Sequence, residues 1–252
     1  MKTYLKLIAL LVLPLVMAAG WYLFAQETGR EQTLLASIDF SSLLLPSSPP
    51  DTLFQAAEQE PQKEVDTTAQ RILFFGDSMV EGLKEPMADY AAAKHELTSV
   101  VWYSSGTRLW AQTDTLQHFL REVQPTYVFV CLGSNQLFVR NLGEVDNEIR
   151  RIVEKIGDIP FVWISPPNWK DDTGINELII KHVGRDRYFD SRHLTLARRK
   201  DHAHPTPSAA CQWCDTICSW LSTLEPRHPL RLVKPLGKPH RTARTVLLQP
   251  VQ

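Results

Sequence analysis

Between residues 71 and 223 the chain alternates short apolar runs with amphipathic stretches, and no other feature restricts the fold as much. Apolar runs fall at 71–75, 99–103, 126–132 and 160–164, with a weaker one near 187–190. Patterns with helical spacing separate them, at about 79–97, 112–123, 143–157, 173–183 and 206–223. Runs of four to seven apolar residues without polar alternation suit strands covered on both faces. Strands that alternate with helices imply βαβ units and a parallel sheet with helices on either side. In such sheets ligands bind beyond the carboxyl ends of the strands. The residues at those ends are therefore the first place to look for chemistry.

The first strand, Arg71-Ile72-Leu73-Phe74-Phe75, runs straight into Gly76-Asp77-Ser78-Met79. Ser78 is expected at a strand-to-helix junction, where backbone N–H groups and the positive end of a helix dipole suit a developing oxyanion. Far downstream comes Lys200-Asp201-His202-Ala203-His204-Pro205-Thr206. A serine hydroxyl needs a base, usually a neutral imidazole, and the imidazole needs a carboxylate to hold its tautomer. Asp201 and His204 can supply both from one loop. Two further strand ends carry Tyr103-Ser104-Ser105-Gly106 and Gly133-Ser134-Asn135-Gln136. A glycine N–H and an asparagine amide are neutral donors able to bind an oxyanion. The loop Ser165-Pro166-Pro167-Asn168-Trp169 ends a fourth strand.

Each of these residues also has a plainer reading. Ser78 could cap the following helix, since serine is a favoured N-cap. Asp201 and His204 could be turn residues ahead of a helix, and Gly106 and Gly133 could serve tight turns. His193, His202 and His204 lie near one another in sequence, but no carboxylate or thiol stands beside them at metal-ligand spacing, so no metal site is expected.

Taken together, the four blocks resemble the SGNH (GDSL-type) hydrolase superfamily, over about residues 71–224 and in the family's order. The resemblance implies a flavodoxin-like three-layer α/β/α fold with a mostly parallel five-stranded sheet. It implies Ser78 as nucleophile, His204 as general base and Asp201 as the acid that orients it. The oxyanion hole would be formed by Ser78 N–H, Gly106 N–H and the Asn135 side chain, and no cofactor is implied. Two departures stand out: Gln136 replaces the aspartate usual after the asparagine, and the second block is short. A Gln136→Asp exchange is expected to be tolerated. The resemblance allows either ester hydrolysis or acyl transfer, the latter beside a membrane acyl-exporting partner. The alternative is a non-catalytic glycan-binding or scaffolding domain that keeps the fold.

The chain termini frame this domain. Leu7 to Phe24 is an uncharged run preceded by Lys2 and Lys6. It is long enough to span a bilayer and is flanked as a signal anchor would be. Small residues at Ala18-Ala19-Gly20 leave a cleaved signal peptide as the rival. Either reading exports the domain to the periplasmic or extracytoplasmic side of the cytoplasmic membrane. Residues 26–70, with eight acidic and two basic side chains, read as a flexible acidic linker. Residues 225–252, with five prolines and six basic side chains, read as a mobile basic tail. The near-neutral middle carries no footprint for nucleic acid. A tethered domain suggests an immobile ester substrate, such as O-acetylated envelope polysaccharide or peptidoglycan.

Trp102, Trp110, Trp163 and Trp169 fall near strand ends, where they could stack on sugar rings or fill the core. Cys211, Cys214 and Cys218 share one helical stripe with Ile217 and Leu221 and are expected in the core, although Cys211 and Cys214 are spaced for a disulfide in an oxidising compartment. Cys131 sits in an expected buried strand.

Overall fold

A computed structural model describes residues 63–234, 236–237 and 243–249. The expected membrane-anchoring segment, and most of the expected linker, lie outside these residues. Among the described residues, no helix is long and apolar enough to cross a membrane.

The chain builds β1 (Arg71–Gly76), α1 (Met79–Ala91), β2 (Glu96–Trp102), α2 (Thr107–Gln112), α3 (Thr115–Val123), β3 (Tyr127–Cys131), α4 (Leu142–Ile156), β4 (Phe161–Ile164), α5 (Ile175–Val183), β5 (Tyr188–Phe189), α6 (Pro207–Leu221) and β6 (Ala243–Leu248). The sheet runs β5-β4-β3-β1-β2-β6, and every pairing is parallel. Without β6 this is the 2-1-3-4-5 order of doubly wound α/β folds, whose chain reverses direction between β1 and β3.

The uniform apolarity of the strands follows from cover on both faces. Ile72 and Phe74 of β1 face a core with Met79, Leu83 and Met87 of α1 and Trp213, Ile217 and Leu221 of α6. Leu73 and Phe75 face the opposite core, with Trp110 of α2, Phe119 of α3, Ile149 of α4 and Ile179 of α5. Successive side chains thus enter different cores, so neither face of the strand tolerates a polar residue.

The expected helix over 79–97 ends at Ala91, because Glu96 N–H bonds to the Gln70 carbonyl and starts β2 three residues before the expected strand. Near 112 there are two helices: Thr113 is extended, and its hydroxyl caps the Leu109 carbonyl.

The sheet has six strands where five were expected, and the sixth comes from the stretch read as a mobile tail. β6 pairs with β2 from Leu97↔Ala243 to Trp102↔Leu248, and Arg244 forms an ion pair with Glu122. Proline and basic composition averaged over 225–252 hid the strand-forming run Thr245-Val246-Leu247-Leu248. Leu230 and Leu232 are buried as well. The linker boundary moves too. Asp66 N–H bonds to the Pro229 carbonyl, Arg231 N–H to the Asp66 carbonyl, and Gln70 is buried. A chain truncated after Leu224 exposes Leu230 and Leu232 partners and bares β2. It should lose at least about 3 kcal/mol of unfolding free energy in urea titration, where a mobile tail would cost nothing.

Candidate active site

Gly76 ends β1 so close to β3 that a Cβ there would stand 1.9 Å from the Cys131 carbonyl oxygen. That approach lets Asp77 N–H donate to the same oxygen at 3.0 Å. The Asp77 side chain is then fully buried. Its Oδ1 accepts Met79 N–H at 3.0 Å, while Oδ2 accepts both Ser134 N–H at 3.1 Å and Ser134 Oγ–H at 2.7 Å. Burial pushes this carboxyl above its ordinary range, and the donors oppose the shift. Gly133, at φ 123°, supplies the turn that brings the Ser134 donors to it.

With Asp77 fixed, Ser78 stands at the start of α1. Its side chain makes no cap bond, which sets aside the capping reading. Instead Ser78 Oγ lies 2.7 Å from His204 Nε2. His204 Nδ1 lies 3.0 Å from Asp201 Oδ2, and Asp201 Oδ1 accepts the N–H groups of Ala203 and His204, each at 2.9 Å. Those two backbone donors hold the Asp201 carboxyl down at about 2. An ionised carboxylate only accepts, so the bond to it requires the hydrogen on Nδ1. In that neutral tautomer Nε2 offers a lone pair to the Ser78 hydroxyl.

The loop that carries His204 is closed on itself. Arg199 N–H donates to the His204 carbonyl at 2.8 Å, and His202 takes a left-handed φ of 59° at the turn. Arg198 fastens it to its surroundings. Nη1 donates to the Ala203 carbonyl at 2.7 Å, while Nη2 donates to Pro167 and Asn168 carbonyls at 2.9 and 3.3 Å. Thr206 then caps α6 through Ala209 N–H.

Gly106 and Asn135 stand where expected, at the ends of the strands flanking β1 on either side. Among the described residues no acceptor is bound to Ser78 N–H or Gly106 N–H. The Asn135 amide is differently employed: Nδ2 donates to the Tyr103 and Ser105 carbonyls at 3.2 and 2.9 Å. In this arrangement it braces the loop before Gly106. Gln136 has a role that sequence reasoning missed. Its Oε1 accepts Thr107 N–H and its Nε2 donates to Thr107 Oγ1, both at 2.8 Å, and Thr107 Oγ1 donates onward to buried Glu148 at 2.7 Å. An aspartate is one methylene shorter and lacks the amide donor, so the expected tolerance of Gln136→Asp loses its physical basis.

A pocket of about 220 Å³ opens at Ser78, lined by Met79, Glu81, Gly82, Tyr103, Arg199, Asp201, His204 and Pro205; Gly106 and Asn135 lie outside that lining. Three of the four strand-end tryptophans (Trp102, Trp110 and Trp163) are buried in the core, and only Trp169 stays partly open, edge-on to Phe138 at 5.2 Å. Cys131, Cys214 and Cys218 are buried, Cys211 is exposed against expectation, and all four are free thiols. No protein-family model matches the chain, and comparison with curated proteins returns no match.

The depressed Asp201 carboxyl has a measurable sign. Its folded value lies below the unfolded 3.8, so its contribution to stability is present above pH 3.8 and is lost as pH falls through about 2. A carboxyl-carbon NMR titration should give a midpoint near 2, and a midpoint near 4 would contradict the loop geometry.

Proposed function

We propose that the protein is an exported, membrane-tethered serine esterase or acyltransferase that removes or transfers O-acetyl groups on cell-envelope polysaccharide or peptidoglycan. The observation that carries this reading is the unbroken hydrogen-bonded line from Ser78 through His204 to Asp201. Residues from two separate parts of the chain, position 78 and the loop 201–204, are arranged with the polarity a nucleophilic hydroxyl requires, and Ser78 forgoes its cap bond to join them.

In the reaction, Ser78 Oγ attacks the ester carbonyl carbon while His204 Nε2 takes its proton. Asp201 stabilises the imidazolium without being protonated itself. The carbonyl oxygen becomes an oxyanion held by Ser78 N–H and Gly106 N–H, the two donors with no competing acceptor. Collapse expels the alcohol, which leaves with the proton from His204, and an acyl-serine remains. Water, or a glycan hydroxyl in the transfer direction, then attacks with His204 again as base, and Ser78 is regenerated. The pocket of about 220 Å³ is smaller than the roughly 300–1,000 Å³ typical of drug-sized ligands, which favours a short acyl group.

Ser78→Ala and His204→Ala should each lower kcat on an aryl acetate by about 10³ or more. A fluorophosphonate probe should label the wild-type protein and leave Ser78→Ala unlabelled. A wild-type protein that neither labels nor hydrolyses the ester is instead a binding or scaffolding domain. Deletion of the gene distinguishes direction: envelope acetyl content rises if the protein is an esterase and falls if it is a transferase.

A further inference from the structure

We infer that Arg199 reads an anionic group on the alcohol side of the ester, so that the preferred substrate is an acetylated sugar carrying a carboxylate. This rests on the esterase or transferase reading above and specifies its substrate class. What decides the matter is which hydrogen-bonding groups are already committed around the pocket that contains Ser78. Four ionisable side chains besides Tyr103 line it: Glu81, Arg199, Asp201 and His204. Glu81 pairs with Lys84 Nζ through Oε1 at 2.9 Å, while its Oε2 is buried away from the pocket surface. The Tyr103 phenol lies beside that same carboxylate and is pushed up by burial and by Glu81, which keeps it neutral. Asp201 is spent on His204 and on two backbone N–H groups. Arg199 alone among them keeps free donors. Its Nε donates to the Pro205 carbonyl at 3.1 Å, directly after His204, and this anchors the guanidinium at the pocket wall. Among the described residues its two Nη atoms have no hydrogen-bond or ion-pair partner, and the side chain is exposed.

An anchored guanidinium with a free edge is suited to a planar carboxylate, which it can meet with two parallel N–H donors. The anchor also limits the rotamer entropy lost when that contact forms. Because Nε is tied to the residue after the base, an anion on Arg199 lies on the side of the pocket that holds His204. His204 is the group that returns its proton to the departing alcohol, so the anion belongs to the alcohol portion of the substrate and not to the acyl group.

The test uses a matched pair, an O-acetylated methyl galacturonoside and its uncharged methyl ester, with acetate release as the readout. Wild-type protein should favour the acid by about tenfold or more in kcat/KM. Arg199→Gln should bring that ratio close to one, and Arg199→Lys should keep part of it. Equal rates on the two substrates in the wild-type protein, or an unchanged ratio in Arg199→Gln, overturn the assignment while hydrolysis itself still supports the serine mechanism. Absence of acetate release from both sugars and from an aryl acetate overturns the serine mechanism instead.

Discussion

The site depends on one buried carboxylate. Asp77 draws donors from both sides of the point where the sheet reverses: Met79 N–H from the start of α1 and two groups of Ser134 from beyond β3. Burying an ion without such partners is prohibitive, and with them the geometry is tightly specified, since each donor must stay in place to offset the loss of hydration. The consequence is a rigid corner from which Ser78 projects. Gly76 makes the corner reachable, because any side chain there would separate β1 from the Cys131 carbonyl.

Around that corner the backbone is braced by side chains whose roles are mechanical. Asn135 ties the Tyr103 and Ser105 carbonyls, Gln136 ties both polar groups of Thr107, and Arg198 ties the histidine loop to the turn after β4. Three strand-end loops and the loop before α6 are thereby linked to their neighbours by neutral amides and one arginine. Side chains held this way have little conformational freedom left to lose, so the relative positions of Ser78, His204 and the neighbouring loops are fixed in advance.

The sheet and the helices were legible because both encode periodicity directly. Double-sided burial writes unbroken apolar runs, and Ser78, His204 and Asp201, singled out by residue type at strand and loop ends, lie in one hydrogen-bonded line. What escaped was of two kinds. β6 is a strand with an exposed outer side, so its segment has only modest apolar content and sits among prolines and lysines that dominate any average. The duties of Gln136, Arg198 and Asn135 escaped because they are set by which carbonyl happens to lie within reach, and one-dimensional spacing carries no such information. Trp102, Trp110 and Trp163 show the same limit from the other side: position near a strand end did not reveal that all three rings turn inward.

The placement of β6 has a consequence for how the molecule is made. The sheet's central strands come from the first part of the domain, yet the outer edge of β2 is closed only by the strand furthest along the described chain. During vectorial synthesis, that edge stays open as an unsatisfied row of amide and carbonyl groups after the other strand pairings have formed. An open edge of this kind recruits foreign strands. The interval before β6 arrives is therefore when the nascent protein is most exposed to misassembly, and when a holding chaperone would have the most to protect.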